Sequence, residues 1–224
     1  MTGAPDQIAP LSDGLGWCAP NPVRCRLETP RLIVRCYTLD DAPALHRLIV
    51  ANRAYLLPWM PWARQHDNPA ATARYVAEQV LACTAGPAFT GLGVGVFERD
   101  TGELVGGTGV HDVRSDTASC ETGYWIRADR RNRGYATEAC ARVISWALSP
   151  PGEGGLGLRR VRAYCSGANA PSRRVLEKLG LTHEVRQRDD LYVETLGPTD
   201  RLGWGVLASE WDTAHHRAVS PGGG

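Results

Sequence analysis

The sequence predicts an α/β domain whose front half is a mostly antiparallel sheet flanked by helices. Three stretches carry that prediction. Alternating apolar runs at residues 90–98 and 103–111, separated by Asp100-Thr101-Gly102, read as a β-hairpin, and residues 119–127 add the next strand. That strand leads through a loop carrying Arg130, Arg131 and Arg133 into a helix that opens at Gly134 and runs to about Leu148. The helix puts Ala136, Ala139, Cys140, Val143, Ile144 and Ala147 on one side, the apolar stripe needed to face a sheet.

The remaining elements follow in order. Residues 1–26 are rich in Pro, Gly and Asp without periodicity and are expected to form a flexible arm, with Trp17 suited to dock part of it. Leu32 to Cys36 reads as a strand. Asp40 or Asp41 can cap a helix carrying Leu45, Leu48 and Ile49 on one face, and a second helix is expected over about 70–83. After the long helix, Pro150-Pro151-Gly152 is a stop. Residues 159–165 suit a strand, and 171–179 a helix with Gly180 as its C-terminal signal. Two last runs, about 182–195 and 201–208, suit strands. The domain is thus expected over 27–212, followed by a flexible tail at 213–224.

Composition bounds the function. In 224 residues, 25 Lys and Arg nearly balance 24 Asp and Glu, against the basic excess usual in a general nucleic-acid binder. There is no apolar run of the length that spans a membrane, about 18 residues or more, and no basic-then-apolar secretory start. Seven cysteines, an odd number with no Cys-x-x-Cys, favour free thiols in a cytoplasmic setting. No His-Glu-x-x-His run occurs, and His215-His216 reads as tail, so no metal is expected. Oligomeric state is open, a homodimer included.

The segment 121–139 is the most informative. A helix N-terminus offers unpartnered backbone N–H groups and the positive end of the helix dipole, which suits phosphate. Gly134 allows close approach, and arginines add bidentate contacts. The alternative is a solvated basic loop before an ordinary helix. No Gly-x-x-x-x-Gly-Lys-Ser/Thr run exists. The Gly-x-Gly-x-x-Gly match at Gly152, Gly154 and Gly157 follows a helix and enters a strand, the reverse of a dinucleotide turn, and reads as a flexible connection.

Arg131-Asn132-Arg133-Gly134-Tyr135-Ala136 resembles the Arg/Gln-x-x-Gly-x-Gly/Ala signature of the GNAT acyl-CoA N-acyltransferases, in the version of the RimJ/RimL-like branch, which acetylates protein N-termini and related amines. Thr29–Arg35 resembles that branch's first strand, Leu56–Ala63 its acceptor-side loop, Asn169–Gly180 its second cofactor-side helix, and Asp200–Trp211 its last strand. The resemblance covers roughly residues 27 to 212. It implies a GNAT fold: a central mixed sheet splayed between its fourth and fifth strands, with acetyl-CoA in the gap.

The resemblance also assigns candidate roles. Arg131, Asn132, Arg133, Gly134, Tyr135, Ala136 and Thr137 would hold the phosphates. Ile126 and Arg127 would present backbone groups to the pantetheine amides. Asn169 would bind the same arm or simply cap its helix. Ser172 would hydrogen-bond the cofactor sulfur, or serve only locally in the first turn. Glu121 is the candidate base, acting directly or through water, its alternative being a strand-edge carboxylate in a surface pair. Tyr124 would line the acceptor pocket or pack in the core. Trp59, Met60 and Trp62, interleaved with Pro58 and Pro61, would form the acceptor wall or anchor a lid.

Thioester aminolysis needs a neutral amine, donors for the oxyanion and a proton or hydrogen bond for the leaving thiolate. An α-amine with a pKa of about 7.7–8.0 asks less of a base than a lysine at about 10.4. The leading expectation is therefore acetyl transfer to a protein or peptide N-terminal α-amine. Acetylation of a small amine such as an antibiotic or biosynthetic intermediate is the alternative. A non-catalytic acyl-CoA-binding module is the alternative of another class.

Overall fold

The computed structural model describes residues 17–213; the first sixteen residues, His215-His216 and the expected flexible end at 220–224 lie outside them. An eight-stranded sheet runs in the order β1-β2-β3-β4-β5-β6-β8-β7. Its strands are β1 (Arg26–Glu28), β2 (Leu32–Cys36), β3 (Leu92–Glu98), β4 (Leu104–Arg114), β5 (Ser119–Ile126), β6 (Arg160–Ser166), β7 (Thr182–Val193) and β8 (Gly197–Leu207). Every neighbouring pair is antiparallel except β5 and β6. The helices are α1 (Ala42–Leu56), α2 (Pro69–Ala82), α3 (Tyr135–Leu148) and α4 (Ala170–Lys178).

The parallel pair is the feature that makes a site. β5 and β6 match only at Ser119–Arg160, Cys120–Val161 and Glu121–Arg162. From Thr122 onward β5 turns away, while β6 continues along β8 to Ser166. The sheet therefore opens between the fourth and fifth strands expected from sequence. The short β1, which pairs with β2 through a turn at Thr29–Arg31, shifts those strands to β5 and β6.

Two apolar layers hold the helices on opposite faces. Leu45, Ile49, Leu56 and Val76 of α1 and α2 pack with Tyr37, Phe97 and Leu104. Val143, Ile144 and Leu176 of α3 and α4 pack with Val34, Val94, Val105 and Val161. Fully burying Val143 and Ile144 contributes roughly 1.5–3 kcal/mol each. The stripe expected on α3 faces the sheet, but its outer side is covered too. Ala19, Val23, Cys25 and Trp211 are buried in the same cluster, and Trp211 Nε1 donates to Ser145 Oγ at 2.9 Å.

That covering corrects two expectations. The arm drawn over 1–26 docks at Trp17, as expected, but is packed from there onward instead of being flexible to residue 26: the Trp17 indole donates to Leu156 O at 2.7 Å, and Val23 N–H donates to Cys83 O at 2.7 Å. The glycine-rich stretch at 152–157 is a hydrogen-bonded turn, not a loose connection. Leu156 N–H reaches Trp146 O at 3.0 Å and Gly157 N–H reaches Ser149 O at 2.8 Å, so buried Leu156 and Leu158 anchor it.

Local caps explain the helix starts. The Asn68 side chain accepts from Ala71 N–H at the head of α2. The Asn169 side chain does the same for Ser172 N–H at 3.2 Å on α4. Asp41 precedes α1 as expected, yet its carboxylate turns back to Thr38 N–H and to the Arg35 guanidinium. Gly180 takes a left-handed φ of 72° where α4 ends, as a C-terminal glycine does. All seven cysteines are free thiols, with Cys36 and Cys83 sulfurs 3.3 Å apart.

Candidate active site

β5 delivers one side of the site. Arg127 N–H donates to Val105 O at 2.9 Å, and Arg127 O accepts from Arg130 N–H at 3.1 Å. Hydrogen-bonding direction alternates along an antiparallel pair. The backbone groups of Tyr124 and Ile126 therefore point to the opposite edge, into the gap left by β6. Ile126 thus presents its backbone groups to the gap. Arg127 does not, because β4 and the following turn use both its backbone groups; its side chain pairs with Glu103 and Asp129.

The helix behind the loop opens toward the same gap. Gly134 adopts φ 80°, a left-handed conformation that favours glycine, and a Cβ there would meet only Arg31 Nη2, at 3.3 Å. The first helical bond is Glu138 N–H to Gly134 O at 2.9 Å. The amides of Tyr135, Ala136 and Thr137 therefore precede the ladder and face the opening. Glu138 is the one acid of this first turn, and it is directed away. Its buried carboxylate takes Arg31 Nε at 2.8 Å and Nη2 at 2.6 Å, Arg31 N–H at 3.1 Å and the Thr29 hydroxyl at 2.5 Å. Arg31 also donates to Arg133 O at 2.8 Å and lies over the Tyr135 ring. The Thr29-Pro30-Arg31 segment thus braces the loop, in addition to starting β2.

The loop arginines divide. Arg130 pairs with Glu98, Asp129 and Glu103, which largely neutralises it. Arg131 lies over the Tyr55 ring and lines the cleft, with no ion pair among the described residues. Arg133 does not line the cleft: its side chain is exposed, and Asn132 at φ 59° and Gly134 turn the chain so that its carbonyl accepts from Arg31. Sequence reading missed Arg174 and Lys178 of α4, which line the cleft from the other side. Their spacing of four on one helix is the signal that could have found them. It also missed buried Asn52 of α1, whose Oδ1 accepts from Ala128 N–H at 2.7 Å and fixes the start of the loop.

Two cavities meet in the gap. The first, about 560 Å³, runs from Ile126 and Asn132 past the α3 opening to α4. The second, about 240 Å³, is lined by Glu121, Tyr164, Leu191, Tyr192 and Arg201 among others. Trp59, Met60, Tyr124, Asn169 and Ser172 line both. At this junction the Tyr124 hydroxyl lies 3.0 Å from Ser172 O and 3.1 Å from Ser172 Oγ, joining β5 to α4 across the splay. Tyr124 is therefore neither a plain core residue nor only a pocket wall. Burial pushes its phenol well above the usual tyrosine range, so it stays a donor.

Glu121 lines the second cavity and is the last residue of β5 to pair with β6. Burial raises its carboxyl above the ordinary range; the Arg162 charge pulls it back and Asp112 adds to the rise. That poises it to accept a proton nearer neutrality than a solvated carboxylate does. The aromatic wall splits. Trp59 and Met60 line the cavities, but Trp62 does not. Trp62 packs behind them against Trp125 at 5.9 Å and His66 at 5.6 Å, because the 3₁₀ turn Pro61–Gln65 rotates it toward the α1–α2 layer.

A model of the acetyltransferase (GNAT) domain matches residues 31–182. The chain belongs to the GNAT acetyltransferase family. It is an N-acetyltransferase. It is 28% identical over 182 residues to the putative ribosomal N-acetyltransferase YdaF of Bacillus subtilis (strain 168), covering 81% of this chain and 93% of that relative. Among solved structures, a RimL ribosomal-protein α-N-acetyltransferase in complex with coenzyme A aligns with a TM-score of 0.71 at 18% identity, over 80% of this chain and 95% of that one. Mycobacterium smegmatis RimJ, in complex with CoA-disulfide, aligns with a TM-score of 0.71 at 23% identity, over 90% and 93%. At these identities the structural matches establish the fold. Among the described residues no helix is long and apolar enough to cross a membrane, and no cluster of three metal-ligating side chains occurs.

Proposed function

We propose that this GNAT enzyme transfers the acetyl group of acetyl-CoA to the α-amine of a protein or peptide N-terminus. The observation that carries the reading is the pair of cavities meeting at Trp59, Met60, Tyr124, Asn169 and Ser172. A thioester lying along the larger cavity reaches an amine entering the smaller one only there. The larger cavity suits acetyl-CoA. Phosphates meet the amides of Tyr135, Ala136 and Thr137 beside Arg131, with Arg174 and Lys178 opposite, and the pantetheine arm lies along Ile126 and Asn169.

The smaller cavity supports the choice of acceptor. About 240 Å³ is below the ~300–1,000 Å³ usual for sites that enclose a drug-sized ligand. It fits one or two terminal residues, with the rest of the peptide outside, past exposed Tyr192. In this reading Glu121 takes the amine proton, directly or through water. A backbone N–H of β5 faces the oxyanion. Ser172 hydrogen-bonds the departing thiolate.

The test is release of free CoA from acetyl-CoA with two acceptor sets: peptides bearing free α-amines, and amine-bearing antibiotics. Turnover confined to the peptides supports the proposal. Turnover confined to the antibiotics makes this a small-amine acetyltransferase, and stoichiometric binding with no turnover on either set favours an acyl-CoA-binding role.

A further inference from the structure

We propose that Tyr124 is a positioning residue that directs the Ser172 hydroxyl at the cofactor sulfur. The inference rests on the acetyl-CoA reading above and deepens it. Ser172 sits in the first turn of α4, where its N–H is held by the Asn169 side chain. Its backbone is therefore fixed, but its hydroxyl can rotate among staggered positions. In a first turn such a hydroxyl commonly turns back on local backbone and is lost to a ligand.

Tyr124 supplies what the helix alone lacks. Its hydroxyl lies within hydrogen-bond distance of both Ser172 O and Ser172 Oγ. The phenol reaches across the splay from β5, so the contact exists only because β5 and β6 part after Glu121. The phenol has one proton for two acceptors of the same residue, Ser172 O at 3.0 Å and Oγ at 3.1 Å, and shares it between them; because Oγ then accepts from Tyr124, the serine's own proton is left to point away from the phenol, into the space both cavities share. The ionisable groups facing the phenol are Cys140 of α3 and Cys165 of β6, both held as neutral thiols by burial, with Cys165 also beside Ser172. The Cys165 thiol is the other side-chain hydrogen-bond partner of Ser172, and as a neutral thiol it is a weak acceptor for the serine proton. The phenol remains protonated and acts as a fixed donor, not as a base.

The arrangement predicts an energetic dependence of one residue on the other. Tyr124→Phe keeps the ring and removes only the donor. In wild type it lowers kcat roughly three- to tenfold with little change in the KM for acetyl-CoA, the scale of one hydrogen bond. In a Ser172→Ala background the same change has less than a twofold effect. An equal loss in both backgrounds overturns the proposal, because Tyr124 then acts without Ser172. A Ser172→Ala enzyme as fast as wild type overturns instead the assignment of Ser172 to the sulfur.

A second readout needs no acceptor. The thiol of bound CoA is titrated by its thiolate absorbance, as the difference between the CoA and desulfo-CoA complexes. Its pKa is expected lowest in wild type, and raised equally by Tyr124→Phe and by Ser172→Ala. A pKa unmoved by Tyr124→Phe but raised by Ser172→Ala contradicts the positioning role.

Discussion

Two N–H groups of the partly exposed Arg31 guanidinium converge on one oxygen, Oε2, of buried Glu138, 107 residues away in sequence, and tie the β1–β2 turn to the first turn of α3. Glu138 is 4% exposed, and among the described residues every hydrogen bond its carboxylate accepts comes from Thr29 or Arg31. The pair removes the one carboxylate that would otherwise oppose phosphate at the helix opening. Breaking a buried pair from one side leaves an uncompensated charge. Glu138→Ala is therefore expected to cost about 3 kcal/mol in chemical denaturation, with Arg31 left beside its lost partner. Arg31→Ala is expected to weaken acetyl-CoA binding as well, measured by calorimetry, because Arg133 O and the Tyr135 ring lose their brace.

Gly134 tests the phosphate site alone. Its left-handed φ makes any side chain strained, and in the acetyl-CoA reading proposed above a carboxylate there lies beside the cofactor phosphates. Gly134→Asp is expected to reduce acetyl-CoA affinity at least a hundredfold, about 2.7 kcal/mol. Gly134→Ala is expected to cost about 1 kcal/mol of stability and less affinity. Equal affinities for the two variants would refute an anion site at this turn.

Glu121 gives a pH dependence of definite sign. Its folded-state pKa is raised by burial, so the folded state binds a proton more readily than the unfolded chain. Its contribution to stability is lost as pH rises from the ordinary carboxylate range through that raised value. Glu121→Gln, which removes the buried charge, is expected to raise the midpoint of thermal unfolding at neutral pH and to leave it little changed in acid. In the same variant, kcat is expected to fall and to lose its acid limb, since the deprotonated carboxylate is the working form. A pH–rate profile identical to wild type would remove Glu121 as the base.

The aromatic wall is expected to separate by role. Trp62→Ala leaves a hole against Trp125 and His66 and is expected to destabilise by about 3 kcal/mol. Trp59→Ala is expected to spare stability and raise the acceptor KM, because Trp59 lines both cavities. Thermal unfolding and acceptor titration together distinguish the two.

The pattern of legibility has physical causes. Periodicity predicted α3 and its inward stripe because that face meets a regular sheet. It could not predict that Trp17 and Trp211 cover the outer face, since those contacts come from distant segments without a period. The Gly134 opening was legible because only glycine adopts its conformation cheaply. The splay was not legible from residues alone, because a parallel pairing that stops after Glu121 leaves no local mark; the family resemblance supplied it. Arg127 and Arg133 look equivalent to Arg131 in sequence. Hydrogen-bond direction on β5 and the turn at Asn132 separate them, and neither can be read from composition.

The central claim, acetyl transfer to an α-amine at the Tyr124–Ser172 junction, is tested most directly with two forms of one lysine-containing peptide. One has a free α-amine and a blocked lysine; the other has a blocked α-amine and a free lysine. Each is incubated with the enzyme and acetyl-CoA and weighed by mass spectrometry. The account predicts one added acetyl group on the first peptide and none on the second. Acetylation of the second alone, or of neither peptide while a small amine is acetylated, would contradict it.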